Sequence, residues 1–413
     1  MSIDAGRSQG SSAKAMVDVC HVSTTFNRRS GSGRRTLAIA EHCQRHGVST
    51  TLVFGPDHDM ADYTGPVPWF VLPSFGKSLR PIRDLRARIE LQDLLGHVAP
   101  RIVHTHLAKA GIVGRHVASR LPDRPLVLHT VHGPTFDKSV SEPMRSLYRI
   151  LERRAARHTQ VQVYVGEELR RRYRAAGIRP TGKDVVIRTG KVARVGGCSV
   201  QPGIDPGNPL RLVYVARIVP MKQHDHALTL LRHLLDAGID ATLDLVGAAL
   251  VESERNYRDE LVRRVEQMGL ASQVRFAGHV SDVHKRLSAA HVALLVSRYE
   301  GLPNAVVESI QAGTPIVAYD VSGVREVLGE KLERLVVPAN DIDALIDTVV
   351  QVNANLDAIR PAVVARREEL DQLYRIDVML QAKLALYREL LGPSEQPVEH
   401  ASWHGAENGT VRS

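Results

Sequence analysis

Short apolar runs alternate with longer amphipathic stretches along most of the chain. The apolar runs have the length and composition of buried strands, and the stretches between them have the spacing of helices. The clearest predicted strands are residues 16–22, 50–54, 69–72, 101–104, 161–165, 185–187, 210–216, 241–246, 274–277, 291–296 and 316–319. Strands that alternate with helices in this way predict an α/β fold built on parallel sheets.

The 413 residues are enough for two such domains, each with its own core. A polar tail over 1–15 is predicted to be disordered, and the first domain is expected over 16–188. The stretch 189–209 is rich in glycine and proline and is the predicted linker. The second domain is expected over 210–375, a last helix over 376–391, and a disordered polar tail over 392–413.

The net charge of +9 is unevenly distributed. Residues 1–209 contain 32 Lys and Arg against 17 Asp and Glu, which indicates an anionic partner for the first half, either lipid headgroups or a phosphorylated acceptor. Recognised nucleic-acid motifs and interleaved aromatic residues are absent, so we expect no nucleic acid. The candidate basic surface, with a solvated helix face as its alternative, consists of Arg149, Arg153, Arg154, Arg157, Arg170, Arg171, Arg172 and Arg174 around Tyr173.

No run of about eighteen apolar residues occurs, and the first residues lack the apolar core of a secretion signal. A cytoplasmic protein is therefore expected, with peripheral contact at the inner face of a membrane as an extension. Cys20, Cys43 and Cys198 are too scattered for a metal motif and are expected to be reduced thiols.

Residues 291–328 read as strand, turn, helix and strand, with Glu300 in the turn and Glu308 within the helix. Parallel sheets bind ligands at the carboxyl ends of their strands, and helix amides just after Glu300 favour an anion there. A carboxylate such as Glu308 can accept two hydroxyl hydrogen bonds from one ribose. The pair therefore suits a sugar nucleotide, although either acid alone is equally well a helix-start or solvated residue.

Four histidines follow two predicted strand ends: His104, His106, His129 and His132. Metal ligation is one interpretation, but the chain lacks an obvious carboxylate or cysteine partner nearby, and Thr130 and Val131 suit plain strand packing. His132, next to Gly133, is instead predicted to face a cleft, where a neutral imidazole can bond a sugar hydroxyl. A structural histidine is the alternative.

Two loops carry groups suited to phosphate. Gly31 and Gly33 lie in a predicted loop before a helix over 36–46, but Thr36 replaces the third glycine of a dinucleotide fingerprint. Arg217 and Lys222 lie in a strand-to-helix loop before a helix over 223–237, where an arginine and a lysine can converge on a pyrophosphate. Surface charge is the alternative for the second pair.

The string EGLPNAVVESIQAGTPIVA, followed by Gly323 and Glu326, resembles the donor-site signature of retaining glycosyltransferases of family 4. The strings HTHLAKAGIVGR and HTVHG are similar to the acceptor-domain pattern of bacterial members. The resemblance implies the GT-B fold, in which two Rossmann-like β/α/β domains face a central cleft and the helix over 376–391 crosses back to the first domain. It also implies transfer of a sugar from a nucleoside diphosphate donor, with UDP favoured, and with retention.

Family resemblance assigns the diphosphate to Arg217 and Lys222 without metal or other cofactor, and the transferred sugar to Glu300 and His132. Glu300 is either a nucleophile or, as we favour, an orienting group. Gly278 and Val280 are expected to line the base, and the loop of Gly31, Ser32 and Gly33 to cover the donor phosphates and acceptor. The remaining donor contacts are expected from Gly301, Leu302, Asn304 and Glu308.

The chain departs from the family pattern at Gln223, where a glycine is usual, and at 188–190, where Arg-Thr-Gly replaces Pro-Asn-Gly. The acceptor is expected to be anionic or lipid-linked, in the synthesis of a polysaccharide, glycolipid or glycosylated natural product. The alternatives are a nucleotide-sugar hydrolase or epimerase of the same fold, and a non-catalytic binding protein.

Overall fold

A computed structural model describes residues 16–28, 30–78, 80–136, 141–191 and 208–393. The predicted tail over 1–15, most of the predicted linker and nearly all of the predicted C-terminal tail therefore lie outside the described residues, as does Cys198. Within the described part the chain forms two large parallel sheets, each flanked by helices. This confirms the predicted α/β fold of two Rossmann-like halves.

The first sheet contains seven parallel strands in the order β5-β3-β1-β6-β7-β8-β9. A separate pair, β2 (Thr25–Phe26) and β4 (Asp57–His58), lies beside it. The strands of the sheet are β1 (Val17–Val22), β3 (Thr50–Phe54), β5 (Trp69–Val71), β6 (Pro100–His106), β7 (Leu126–Val131), β8 (Val161–Tyr164) and β9 (Lys183–Val186). The helices are α1 (Gly31–Arg45), α2 (Pro81–Val98), α3 (Ala108–Ala118), α4 (Glu142–Ala156) and α5 (Glu167–Ala175).

The second sheet contains six parallel strands in the order β12-β11-β10-β13-β14-β15. They are β10 (Leu210–Val215), β11 (Ala241–Val246), β12 (Val274–Gly278), β13 (Val292–Leu295), β14 (Ile316–Tyr319) and β15 (Val336–Val337). Two 3-10 turns, Pro220–Lys222 and Glu330–Leu335, join them. The helices are α6 (His224–Asp236), α7 (Glu252–Gln267), α8 (Val283–Ser288), α9 (Asn304–Gln311), α10 (Val324–Leu328), α11 (Ile342–Ala354), α12 (Leu356–Leu373) and α13 (Ile376–Leu391).

Strand β13 is apolar throughout and fully buried, as expected for a central parallel strand. Its core continues into α9, whose Val306, Val307 and Ile310 are buried. Burial of one such side chain stabilises the fold by roughly 1.5–3 kcal/mol. The strand therefore fixes the position of the turn that follows it, with Glu300 at its carboxyl end.

The last helix, α13, packs on the first sheet. Its Met379, Leu384, Leu386 and Tyr387 share one core with residues of β1, α1 and β6. A bridge between Lys191 and Arg375 leads into it. The C-terminal helix thus belongs to the core of the half that begins the chain.

Two predicted helices begin at other residues in the structure, and one further long polar helix was not predicted. Helix α1 begins at Gly31 instead of residue 36, because the hydroxyl of Ser30 accepts a hydrogen bond from the Gly33 amide and caps the helix there. Helix α12 begins at Leu356, so that Pro361 lies inside it, where the sequence predicts a start at the proline. Helix α7 is strongly polar along its length and was not predicted.

Candidate functional site

The carboxyl edges of the two sheets meet where Gly301 approaches the end of β7. A Cβ atom at Gly301 would lie 2.1 Å from the carbonyl oxygen of His132 and 2.9 Å from Cα of Gly133. Any side chain at 301 would force these backbones apart. The glycine thus holds the turn after β13 against His132, and the two sequence-predicted regions form one site.

Lys222 and Glu300 form an ion pair in this site. Nζ of Lys222 donates to Oε1 of Glu300 at 2.5 Å, and the two side chains are only 17% and 12% exposed. The hydroxyl of Tyr214 donates to the carbonyl of Lys222 at 2.6 Å and fixes the turn. A fixed ammonium beside a carboxylate can serve a substrate that carries both hydroxyl and phosphate groups.

Gln223 explains why this position is usually glycine in similar sequences. Its φ of 47° lies in the left-handed region, which costs a non-glycine residue roughly 1 kcal/mol. Its amide side chain donates to Asn340 at 2.9 Å, which offsets part of that cost. The departure from the pattern therefore leaves the Lys222 turn in place.

Arg217 does not share the Lys222 ion pair. Its guanidinium lies 3.4 Å from Glu254 on α7, and its side chain is 57% exposed. The structure therefore brings Lys222 and Glu300 together but directs Arg217 toward the rim of the second sheet.

Two cationic side chains that the sequence analysis did not single out contact residues predicted to bind the donor. The guanidinium of buried Arg35 donates to Oδ1 of Asn304 at 2.8 Å, and Lys191 forms an ion pair with Glu308. Burial lowers the pKa of Lys191 to about 8, although Glu308 opposes the shift. The only feature of the sequence that points to Lys191 is its position directly after the unusual Arg-Thr-Gly turn. The side chains of Glu300, Asn304 and Glu308 thus each have a partner on the protein already.

A cavity of 1140 Å³ opens beside Glu308 and extends to the loop after β12. Gly278, at the end of that strand, has a φ of 65°, which favours glycine. The lining includes Arg34, Arg35, Lys191, His279, Val280 and Glu308. Val280 and Glu308 therefore face one space large enough for a nucleoside, and most of its charged walls are cationic.

Gly31, Ser32 and Gly33 form the first turn of α1 instead of the predicted loop. Gly33 is required by packing, since a Cβ atom there would lie 2.1 Å from the carbonyl oxygen of Asn27. Gly31 faces Asn304, whose amide nitrogen would lie 3.6 Å from a Cβ at this position. The three residues thus present a helix N-terminus, which favours anions, toward the donor residues.

The histidines form a buried cluster that includes His21, which the sequence analysis missed. His104 and His106 on β6 are buried, whereas His129 lies apart and bonds the hydroxyl of Thr105 at 2.9 Å. Burial is the main cause that lowers the pKa of His132 to about 3, so this imidazole is neutral at physiological pH. His132 therefore can exchange hydrogen bonds with a sugar but carries no charge.

Ligand atoms of His21, His104 and His106 lie within 4.8 Å of one another, close enough for one cation to reach. Buried Lys383 on α13 shares this pocket, and in the described part of the chain no carboxylate is bonded to any of the four. A divalent ion here would meet an ammonium instead of a compensating acid. The pocket therefore does not favour a metal.

Two helices cap each other across the gap between the halves. The carboxylate of Glu326 on α10 accepts from the amides of Glu167 and Glu168 at 3.1 and 3.0 Å, and Glu168 accepts from the Gly323 amide at 2.7 Å. Arg188 also donates to Glu326 at 3.1 Å. Glu326, part of the sequence signature, thus joins the halves beside the site.

The arginine-rich surface is only partly free. Arg170 and Arg174 both pair with Asp184, and Arg153 donates to the carbonyl of Ala176. Arg154 and Arg171 are exposed. Arg170 and Arg174 therefore share one compensating carboxylate, and the use of this surface for an anionic partner stays a prediction.

The two Rossmann-like halves have the GT-B architecture. Solved structures with the same fold include sucrose-phosphate synthase from Thermosynechococcus elongatus, with a TM-score of 0.73 and 17% identity, where the similarity covers 91% of this chain and 99% of that one. Another is Anabaena Alr3699/HepE in complex with UDP and glucose, with a TM-score of 0.68, 16% identity and coverage of 90% and 99%.

Sequence comparison gives the family. The family model "Glycosyl transferase 4-like domain" matches residues 30–190, and "Glycosyl transferases group 1" matches residues 201–357. The chain belongs to the family 4 type of glycosyltransferases. It is 25% identical to the UDP-Gal:alpha-D-GlcNAc-diphosphoundecaprenol alpha-1,3-galactosyltransferase of Escherichia coli over 78% of this chain and 84% of that protein. It is 28% identical to the 2-deoxystreptamine glucosyltransferase of Streptomyces kanamyceticus over 45% and 47%.

Proposed function

We propose that this protein transfers a sugar from a UDP-sugar to a hydroxyl of a lipid-linked or otherwise anionic acceptor, with retention and without a metal ion. The observation that carries the proposal is the contact of Gly301 with the backbone of His132, which brings the turn of the Lys222–Glu300 pair against the end of β7, where the neutral imidazole is attached. Similarity to the E. coli galactosyltransferase and to the UDP complex of HepE supports the donor class.

In this proposal the sugar donor lies with its nucleoside in the cavity and its diphosphate at the turn after β13. Uridine fits between Val280 and Glu308, where the carboxylate accepts the ribose hydroxyls. The diphosphate then lies toward Lys222 and the amides of Gly301 and Leu302. Arg217 reaches it from the rim by leaving Glu254.

Cationic side chains replace a metal in this proposal. As the bond between the anomeric carbon and the β-phosphate oxygen breaks, negative charge develops on the diphosphate. A fixed ammonium and helix amides stabilise that charge in a partly desolvated site, where such donors are worth several kcal/mol. Lys191 and Arg35 contribute further positive charge at the same edge.

Retention is proposed to arise by attack of the acceptor on the same face as the leaving group. The acceptor oxygen bonds to the anomeric carbon, and its proton passes to the oxygen of the leaving phosphate. The ion pair with Lys222 supports an orienting role for Glu300, because a carboxylate bonded to an ammonium is a weaker nucleophile.

The first half carries a surface suited to an anionic membrane, from which a lipid-linked acceptor would be reached. Helices α2 and α4 flank α3, and their outer faces expose large apolar side chains at helical spacing beside exposed Arg86, Arg154 and Arg157. The apolar side chains are Ile82, Leu85, Ile89, Leu147 and Ile150. Apolar insertion flanked by arginines is typical of helices that lie in a bilayer surface. None of the helices in the described part of the chain has the length and hydropathy to span a membrane.

A thermal-shift screen against a panel of nucleotide sugars tests the donor. A ligand that binds only the folded state raises the unfolding temperature with its concentration. Binding of a UDP-sugar, followed by product that forms only with added acceptor, supports transfer. Equal sugar release with and without acceptor would instead establish a hydrolase, and binding without turnover a non-catalytic protein.

A further inference from the structure

Two rows of hydrogen-bonded side chains lie side by side at the carboxyl edge of the first sheet. In the lysine row, Lys383 donates to the hydroxyl of Thr130, which bonds Nε2 of His104 at 2.7 Å, and Nδ1 of His104 bonds the Tyr387 hydroxyl at 2.6 Å. In the histidine row, Nδ1 of His21 bonds Nε2 of His106 at 3.0 Å, and Nδ1 of His106 bonds Nε2 of His132 at 3.3 Å. The rings of His104 and His106 are 4.4 Å apart.

The lysine row can run in two directions from its lysine. A protonated Lys383 donates to the Thr130 oxygen at 3.1 Å. In one direction Thr130 donates to Nε2 of His104, and Nδ1 of His104 donates to Tyr387. In the other direction Tyr387 donates to Nδ1 of His104, and Nε2 of His104 donates to Thr130. In either direction the protonated form of Lys383 places a positive charge beside the histidine row, in a pocket where the described residues supply no carboxylate.

The histidine row can run in two directions. Each neutral imidazole has one donor and one acceptor nitrogen, so the direction at one end fixes every tautomer in the row. Nε2 of His21, at the buried end, has no hydrogen-bond partner among the described residues. An unpaired lone pair is tolerated there better than an unpaired N–H, and the charge of protonated Lys383, which acts on this ring, favours the lone pair too.

We propose that His21 and His106 are positioning residues that fix His132 with its proton on Nδ1, so that it presents an N–H donor to the cleft. In this direction His21 donates to His106 and His106 donates to Nε2 of His132. Nδ1 of His132 has no partner among the described residues and is not enclosed, so it is the atom left for the substrate.

The substrate group that matches this donor is an oxygen with a free lone pair, a hydroxyl of the transferred sugar. This assignment rests on the proposed function. A neutral imidazole that donates a hydrogen bond selects a donor sugar with an oxygen at that point, since a sugar without it leaves the N–H unpaired. His132 then orients the sugar and takes no part in proton transfer.

The tautomers are measured directly on the whole ¹⁵N-labelled protein by two-bond ¹H–¹⁵N correlation spectra, with His132→Asn used for assignment. Wild type should show a protonated Nδ1 at His132, and His106→Leu should convert it to a mixture. The control is His129→Leu at a buried histidine of β7 that belongs to neither row, and this change should leave His132 unchanged. If His106→Leu fails to fold, the wild-type tautomer decides alone.

A protonated Nε2 at His132 in wild type, or a tautomer insensitive to His106→Leu, would overturn the proposal. With an identified donor, His106→Leu should also lower kcat/KM roughly tenfold, the effect of one hydrogen bond of about 1.4 kcal/mol. The spectra do not depend on turnover. Failure to bind any nucleotide sugar would therefore refute the proposed function and leave the tautomer assignment standing.

Discussion

Replacement of Lys383 by methionine should stabilise the protein at neutral pH. The side chain is 3% exposed and burial lowers its pKa from 10.5 to about 7. The unfolded chain binds the proton of the Lys383 ammonium more tightly than the folded protein does. Burial of Lys383 therefore lowers the free energy of unfolding. This loss is fully present below the folded pKa and disappears as pH rises toward 10.5, the pKa of the unfolded chain. At 1.36 kcal/mol per pKa unit it amounts to about 4 kcal/mol at pH 7 and only about 1 kcal/mol at pH 9.5.

Methionine has a similar length but loses the hydrogen bond to Thr130, which is worth about 1 kcal/mol. Lys383→Met should therefore raise the free energy of unfolding by about 3 kcal/mol at pH 7, and by little at pH 9.5. Neighbouring groups do not obscure this change, since burial keeps the pKa of His21, His104 and His106 low and raises that of Cys43 to about 12.

Urea denaturation followed by circular dichroism at both pH values measures the difference. The matched control is Lys285→Met, which removes an exposed lysine and should show no comparable pH dependence. A difference between Lys383→Met and wild type that is equal at pH 7 and pH 9.5 would refute the reasoning, because it would mean that Lys383 has no depressed pKa.

Three further predictions concern the donor site and the basic surface. Lys222→Ala and Arg217→Ala should each lower kcat about a hundredfold while folding survives, and wild-type turnover in both would exclude the diphosphate assignment. Glu308→Gln should mainly weaken donor binding in calorimetric titration and Glu300→Gln should mainly lower kcat; equal effects of both on both quantities contradict this division. Replacement of four arginines by glutamate, at Arg153, Arg154, Arg171 and Arg172, should weaken co-sedimentation with acidic-lipid vesicles and leave donor affinity unchanged. Added salt should weaken co-sedimentation in the same way, because the Debye length is about 8 Å at physiological salt. If the acceptor is neutral and soluble, neither salt nor these replacements should change the activity.

The alternation of strands and helices was readable from the sequence because parallel strands buried on both faces are apolar throughout. Strand β14 and helix α13 have the bounds that the apolar pattern predicts. The start of α1 was not readable in this way. Its first turn contains two glycines, which favour a loop by propensity, and the contact of Gly33 with the Asn27 carbonyl that requires one of them is set by tertiary packing.

The histidine row was only half predictable. His106 and His132 follow strand ends close together in the sequence, but His21 lies 85 residues before His106. Its membership depends on the pairing of β1 with β6, which skips four intervening strands. A doubly wound sheet places the first strand near its centre, and that rule applied to His21 on β1 was the available signal.

The side chains predicted to bind the donor are not free to accept a ligand, because each already has a partner on the protein. Glu300 is paired with Lys222, Asn304 with Arg35, and Glu308 with Lys191. Removal of one partner from a partly buried pair leaves a charge without compensation. A nucleotide-sugar donor must therefore replace the existing partners of these side chains instead of only adding contacts.

Such an exchange suits a nucleotide sugar. Its ribose hydroxyls can take the place of Lys191 at Glu308, while its phosphates can accept the cations that the ribose and sugar displace. Arg35 and Lys191 come from the first half of the chain, whereas their partners lie on α9 of the second. We therefore expect donor binding to alter contacts between the halves, beside the mutual caps of Glu168 and Glu326. For this reason we also expect the affinity for the donor and the separation of the two sheets to be coupled through the same side chains.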